Sequence, residues 1–297
     1  MGSLIEILRE AESSPNPISY LDEKRKKILS SISNYTDRNA ISYYSGWLTK
    51  PSVDGLDIND SDKNAFMQAV YKMDKSKGLD LILHTPGGGV AATESIVEYL
   101  HSIFNGDIRA IVPQLAMSAG TMIALSCQSV VMGKHSNLGP VDPQYRGISC
   151  YEALEEFETA KKEVAENSSS LGLWQVIISK YTPTFLISCK HAIEWSEKFT
   201  TDWIKNNKKI NPQNISNIIK LFVDHESSKS HDRHISKEKC RKAGLNIIDL
   251  ESDNEFQDLI LSLHHCYMLF FDRTNVLKVV DNQLGASYLR FYNKPQG

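Results

Sequence analysis

Three glycines that follow an apolar segment are the first residues in this sequence that could do chemistry. Gly87, Gly88 and Gly89 come shortly after the segment 79–84, which is long enough to form a buried strand. Because glycine has no Cβ, the backbone N–H groups of such a run can approach a ligand oxygen closely. The run lacks the spacing of a dinucleotide-binding loop and the Lys-Ser/Thr pair of a P-loop, which disfavours nucleotide binding. The alternative is a tight turn between a strand and a helix.

A serine before a helix of small and apolar residues is the second candidate. Ser118 lies within the segment 116–121, where its Oγ could face a cleft. The N–H of Ala119 would then lie at a helix N-terminus, which favours a negatively charged oxygen. An oxyanion hole needs two such donors, and Gly88 N–H is the natural second one because both residues follow predicted neighbouring strands. The alternative role for this serine is that of a helix N-cap.

A serine nucleophile also needs a group that accepts its proton. Leu154, Phe157 and Val164 form an apolar stripe on a predicted helix, and Lys161 falls at helical spacing from all three. This phase predicts that Lys161 is buried and that Lys162 points to water. Burial lowers the pKa of a lysine, so a neutral Lys161 could take the serine proton. The alternative is a lysine at the edge of the core whose ammonium group reaches solvent.

The histidines offer other candidates for the base. His84 directly precedes the glycine run and His135 follows a predicted strand, so either could accept a proton. A further set of histidines lacks the spacing of metal ligands, and the sequence predicts neither a metal site nor a cofactor. This set is His225, His231, His234, His264 and His265.

The composition describes an ordinary globular protein. The 297 residues include 33 Lys+Arg and 36 Asp+Glu, for a net charge of −3, which does not favour nucleic acid as a partner. Five cysteines without a C-x-x-C pair indicate reduced thiols and a cytoplasmic location. No apolar run approaches the roughly 20 residues that cross a bilayer, so no integral membrane segment is expected.

Alternating strand and helix patterns predict an α/β fold with a mainly parallel sheet. We expect a flexible lead-in over 1–19, a catalytic core over 20–165, and a helical elaboration over 166–297 that completes the same domain and forms an oligomer interface. The predicted strands are 40–44, 79–84, 108–112, 129–132 and 276–280. The predicted helices of the second half are 150–166, 171–181, 185–205, 212–223, 236–243 and 254–272.

Several segments together resemble the serine dehydrogenase proteinase family of the Clp/crotonase superfamily, which is related to signal peptide peptidase A and the NfeD-type Ser-Lys proteases. Their order and spacing are more specific than any one of them alone. The resemblance covers about residues 20–285. The segments are LDLILHTPGG (79–88), AMSAGT (116–121), SNLGPVDPQ (136–144) and ISKEKCRKAGLN (235–246).

The resemblance implies a Clp/crotonase-like spiral of ββα units with Ser118 as nucleophile and Gly88 and Ala119 as oxyanion donors. Clp-type peptidases place a catalytic histidine in the loop that matches 136–143, but this chain has none there. Signal peptide peptidase A and the NfeD-type enzymes use a lysine instead. Lys161, 43 residues after Ser118, falls where the NfeD-type lysine is expected.

The sequence therefore predicts a soluble, homo-oligomeric serine peptidase with a Ser118–Lys161 dyad. An extended protein or peptide substrate would bind along Gly87, Gly89 and Val90 by pairing with the backbone. Two alternatives stay open. The chain could be an inactive pseudo-peptidase that holds peptides as a scaffold, or a crotonase-like enzyme acting on acyl-CoA.

Overall fold

A seven-stranded sheet forms the centre of the fold in the computed structural model, which describes residues 4–145, 147–223 and 233–292. The strands in chain order are β1 (Asn39–Ser45), β2 (Leu79–His84), β3 (Ile108–Val112), β4 (Leu115–Ala116), β5 (Ser129–Met132), β6 (Asn137–Leu138), β7 (Gln144–Tyr145), β8 (Ile148–Ser149), β9 (Ile235–Ser236), β10 (Ile247–Asp249), β11 (Val276–Asn282) and β12 (Ser287–Phe291).

The central sheet has the strand order β10-β5-β3-β2-β1-β11-β12. The first five strands run parallel to their neighbours, whereas β11 pairs antiparallel with β1 and β12 antiparallel with β11. Two small groups accompany this sheet, one of β4, β6 and β9 and one of β7 and β8. The predicted α/β class with a mainly parallel sheet is therefore confirmed, and the sheet takes strands from both sides of residue 165.

Helices cover both faces of the central sheet. Over the described ranges, none of them has a stretch long and apolar enough to cross a membrane. Short 3₁₀ turns lie at Lys75–Lys77, Ser168–Ser170, Pro212–Asn214 and Leu250–Ser252. The α-helices are α1 (Leu4–Ser13), α2 (Pro17–Thr36), α3 (Ser61–Val70), α4 (Val90–Phe104), α5 (Ala119–Ser126), α6 (Cys150–Glu166), α7 (Leu171–Ile178), α8 (Phe185–Asn206), α9 (Ile215–Phe222), α10 (Lys237–Ala243) and α11 (Asn254–Arg273).

The two faces of β2 show how the sheet divides the core. Leu81 and Leu83 belong to the cluster that includes residues of α3, α4 and α5. Ile82, between them, belongs to the cluster on the opposite face, with residues of α2 and α11. Successive side chains of a strand point to opposite faces, so a strand buried on both sides reads as one continuous apolar run. This explains why 79–84 lacks the alternation of a surface strand.

The first residues are not a flexible lead-in, and this part of the sequence prediction is wrong. Leu4–Ser13 forms α1, and the side chains of Ile7 and Ala11 are buried within the core cluster of α2 and α11. These two apolar residues are four positions apart and share one helix face. The contact with α11, more than 240 residues away in the chain, supplies the burial that this short helix needs.

Residues 150–178, here called the outer arm, pack loosely against the rest of the chain. The arm comprises α6 and α7 and the 3₁₀ turn between them. In α6 only Cys150, Ala153 and Ala160 are buried, and α7 has no buried residue. Cys150 and Ala153, at the start of α6, pack in a small cluster with Phe185 and Cys189 of α8.

Candidate active site

Ser118 lies at a strained turn between β4 and α5. Its backbone angles are φ 48° and ψ −117°, a combination that residues with a Cβ rarely adopt. Its side chain makes no capping hydrogen bond to the helix. The hydroxyl therefore does not act as an N-cap, and the side chain stays only partly buried. Such a strained strand-to-helix turn presents the serine Oγ in the α/β-hydrolases.

Hydrogen bonds to Thr85, at the end of β2, fix this turn from one side. Thr85 N–H donates to the Leu115 carbonyl at 3.1 Å, and Met117 N–H donates to the Thr85 carbonyl at 3.0 Å. On the helix side, the Thr121 hydroxyl donates to the Ala116 carbonyl at 2.8 Å. The strained backbone persists because bonds on both sides leave it no alternative.

The glycine run packs directly against the serine turn, as the sequence predicts. Gly87 has φ 104°, and a Cβ at this position would lie 2.7 Å from Ser118 Cβ and 2.9 Å from the Ala119 nitrogen. Only glycine fits such an approach in this conformation. The structure thus brings the two predicted motifs together, although they are about 30 residues apart in the sequence.

A neighbouring segment holds the glycine run on its other side. Ile58 N–H donates to the Gly87 carbonyl at 2.8 Å, and Gly89 N–H donates to the Ile58 carbonyl at 2.9 Å. Gly87 and Gly89 are therefore already bonded to Ile58, and the binding of a substrate by Gly87, Gly89 and Val90 stays a prediction. Across the described residues, the N–H groups of Gly88 and Val90 have no such backbone partner. Both residues line the cleft in front of Ser118.

A cleft of about 780 Å³ opens in front of Ser118. Its ionisable lining residues are all acidic, since no lysine, arginine or histidine lines it among the residues described. Trp195 of α8 forms part of the far wall, and its Nε1 donates to Glu94 Oε2 of α4 at 2.9 Å. The other lining residues include Asp57, Ile58, Asp60, Pro86, Gly88, Gly89, Val90, Val141, Asp142, Pro143, Gln144 and Ser196.

Lys161 is not buried, and this prediction is wrong. Its side chain is 68% exposed, and its Nζ forms an ion pair with Glu158 Oε1 at 2.6 Å. The helical phase is off by one residue: the buried face of α6 runs through Ala153 and Ala160, not through Leu154 and Lys161. One residue corresponds to about 100° around a helix, which turns Lys161 to solvent. Lys161 does not line the Ser118 cleft, so the single chain does not form a Ser-Lys dyad.

The family model described as ClpP-like SDH-type serine proteinase matches residues 17–268. The chain belongs to this family. Its relatives include two uncharacterized proteins of Methanocaldococcus jannaschii. MJ0137 is 29% identical over 75% of this chain and 73% of its own length, and MJ1495 is 27% identical over 64% and 59%.

Among solved structures, a mutant of the 1510-N membrane-bound stomatin-specific protease is similar to this chain. It has 15% sequence identity and a TM-score of 0.40, and the match covers 68% of this chain and 79% of that one. Membership of the SDH-type family, rather than this distant likeness, supports a serine peptidase in general.

Neither histidine considered as a base lies in the cleft of this member of the SDH-type family. His84 is fully buried on the opposite face of the sheet, where its ring packs on Trp47 with centroids 4.3 Å apart. Burial, and next to it the nearby His264, holds the pKa of His84 well below its usual range. Burial also lowers the pKa of His264 to about 3. His135 is exposed in the loop after β5 and does not line the cleft.

The described residues contain no group of three or more His, Cys, Asp or Glu side chains that could hold a metal ion. Two of the histidines weighed as metal ligands, His225 and His231, lie outside the described residues. Sequence reasoning missed Ile58 and Trp195. Nothing in the local pattern marks either residue, because each reaches the site through a contact with a segment distant in sequence.

Proposed function

We propose that this chain is a serine peptidase that forms an acyl-enzyme on Ser118. Oγ attacks the carbonyl carbon of a peptide bond, and an O–C bond forms while the Oγ proton passes to a base. The C–N bond then breaks, the amine leaves with a proton, and water hydrolyses the ester. The strained, uncapped Ser118 facing the glycine run is the observation that carries this proposal.

Gly88 N–H and Ala119 N–H are the proposed oxyanion donors. Ala119 is the first residue of α5, where a helix leaves its N–H groups without intrahelical partners. Gly87, which precedes Gly88 in the chain, packs against both Ser118 and the Ala119 nitrogen. Two backbone donors near one nucleophile can stabilise the negative charge of a tetrahedral intermediate.

Lys161 stays the proposed proton acceptor, but it can act only if its side chain leaves solvent and enters the Ser118 cleft. Its ammonium group faces solvent and is paired with Glu158. To act as a base, it must lose its proton and reach the cleft, either through a movement of α6 or by entering the cleft of a second copy. The proposed homo-oligomer offers the second route. The exposed apolar side chains of Leu171, Leu173 and Val176 on the adjacent α7 support such an assembly.

The proposed substrate is an extended peptide. With Gly87 and Gly89 bonded to Ile58, we assign the backbone pairing to Val90 at the edge of the cleft, and the Gly88 N–H is kept for the oxyanion. Recognition through backbone groups requires little of the substrate's side chains. The acidic lining favours segments that carry positive charge near the scissile bond.

One observation favours the scaffold function as a second candidate. Within the described part of the chain, no lysine or histidine lines the Ser118 cleft. A peptide-binding scaffold needs no base, and its serine would react slowly with any electrophile.

Labelling by a fluorophosphonate probe separates the two functions. The probe forms an O–P bond with an activated serine and releases fluoride. We expect the wild type to be labelled and Ser118→Ala to be unlabelled. Lys161→Ala should lose labelling by about 100-fold or more, whereas Lys162→Ala, an exposed neighbour on the same helix, should keep it. An unlabelled wild type would favour the scaffold, and a normally labelled Lys161→Ala would remove Lys161 as the base.

A further inference from the structure

A buried ion pair lies behind the segment that holds the glycine run. Lys278 of β11 and Asp62 of α3 are both almost fully buried, and Lys278 Nζ lies 2.7 Å from Asp62 Oδ2. Burial lowers the pKa of Lys278, while the neighbouring Asp62 carboxylate opposes that shift. Neither residue lines the Ser118 cleft, so the pair does not touch the proposed substrate.

The pair binds the backbone on both sides of Ile58. Lys278 Nζ donates to the Asp57 carbonyl at 2.9 Å. Asp62 Oδ2 accepts the Asn59 N–H at 2.9 Å. One charged group thus holds the residue before Ile58, and its partner holds the residue after it.

Ile58 in turn holds the backbone on both sides of Gly88. Its N–H donates to the Gly87 carbonyl, and its carbonyl accepts the Gly89 N–H. A Cβ on Gly88 would lie 2.3 Å from the nitrogen and the oxygen of Ile58, so the two segments are in close contact. An unbroken series of bonds therefore runs from the ion pair to the residue whose N–H is the proposed oxyanion donor.

We propose that Lys278 and Asp62 are positioning residues that set the Gly88 N–H for the reaction at Ser118. This inference rests on the proposed function. A buried ion pair is weak evidence for stability, because two apolar residues of the same size often stabilise a core as well. The proposal rests on the hydrogen bonds that the two side chains make beyond the ion pair: Lys278 bonds the Asp57 carbonyl, and Asp62 bonds the Asn59 N–H.

A second buried lysine provides a matched control. Lys237 of α10 is 4% exposed and also pairs with carboxylates, those of Asp249 and Glu251. Among the described contacts, its Nζ bonds only to these carboxylates and not to the backbone of the site. Lys237→Met and Lys278→Met therefore each remove the charge of a buried lysine, with partly exposed partners for Lys237 and a buried partner for Lys278, but only the second removes a bond that leads to Gly88.

The test measures saturation kinetics of fluorophosphonate labelling on full-length protein that is shown to be folded by circular dichroism. For Lys278→Met we expect the maximal labelling rate, kinact, to fall about 10- to 100-fold, because small displacements of oxyanion donors slow such reactions strongly. The probe's binding constant, KI, should stay near the wild-type value. For Lys237→Met both constants should match the wild type. A purely structural role for Lys278 would lower the unfolding temperature of Lys278→Met and leave kinact of the folded protein unchanged.

Hydrogen exchange of the backbone amides gives a second readout that needs no chemistry at Ser118. We expect faster exchange in peptides covering 86–90 for Lys278→Met and unchanged exchange there for Lys237→Met. If the wild type is not labelled at all, the peptidase function fails, and this exchange pattern still decides whether the pair positions the loop. Should Lys278→Met not fold, Asp62→Asn, which keeps the shape but removes the charge, takes its place. Wild-type kinact and wild-type exchange over 86–90 in the folded variant would overturn the proposal.

Discussion

The turn at Ser118 and the outer arm that carries Lys161 differ in how firmly the fold holds them. Around Ser118, Thr85 and the Ile58 segment bond the backbone from two sides. On the outer arm, α7 has no buried residue and Lys161 is 68% exposed. The core of the single chain thus places the proposed nucleophile and oxyanion donors. It does not place the proposed base, which depends on a further contact or movement.

The largest expected effect comes from adding a Cβ to Gly88, in the glycine run that packs against the Ser118 turn. Gly88→Ala should destabilise the protein by ~3 kcal/mol or more, because of its positive φ and the contact with Ile58. Labelling of Ser118 should also be lost. Gly89→Ala is the matched control for stability, since its Cβ would meet Ile58 at an ordinary 3.7 Å. Thermal unfolding monitored by circular dichroism measures both, and equal stability of the two variants would contradict the close packing at Gly88.

Acid should weaken the central sheet next to the site. His84 and His264 are buried, and their pKa values lie below the ordinary value of 6.5. The unfolded chain takes up protons near pH 6.5 while the folded chain does not, so stability is full above this pH and falls as the pH drops. The loss should be ~2 kcal/mol per histidine between about pH 7.5 and pH 5.

Denaturant unfolding at several pH values measures this dependence. His84→Leu should reduce the fall of the unfolding free energy at low pH. His191→Gln, which replaces an exposed histidine of α8, should leave this fall unchanged. After correction for the intrinsic pH dependence of amide exchange, the protection of the amides at 84–90 should fall at low pH as the sheet loosens. A pH dependence that is unchanged in His84→Leu would show that this histidine is not responsible.

On the outer arm, charge should affect assembly and leave the stability of the single chain unchanged. Leu173 and Val176 are each 63% exposed on α7. If a second copy covers them, Leu173→Asp and Val176→Asp should shift the protein to a smaller species in light scattering. Tyr71→Asp is the control, because Tyr71 is 65% exposed at the end of α3, away from the arm. An unchanged mass for the two α7 variants would remove this face from the proposed interface.

The smallest effect on folding should come from Lys161 itself. Because its ion pair with Glu158 lies on the surface, Lys161→Ala should keep the melting temperature within about 1 °C of the wild type. Differential scanning calorimetry measures this beside Lys162→Ala. A clear drop for Lys161→Ala alone would mean that this lysine is packed in solution, contrary to its exposed position here.

Five strands of the central sheet, most of the helices and the two site motifs could be predicted from local sequence. The apolar run 79–84 and the glycines after it define a buried strand and a tight turn without any knowledge of the rest of the chain. The helix α1 was missed although its apolar residues recur at helical spacing, because the turn-rich residues 13–17 that follow it suggested an irregular lead-in. The short strands β9 and β10 were missed because their pairing partners lie far away in sequence, and β12 was missed although it pairs with β11, the strand directly before it.

Local sequence specifies the conformation of each segment: which segments are buried on two faces, and which positions need glycine. The tertiary structure alone decided which of these segments meet. Ile58 reaches the glycine run, and Lys278 reaches Asp62, through pairings that carry no local signal. Lys161 shows the same limit, since helical periodicity gives a face to within about 100° but packing decides which face is covered.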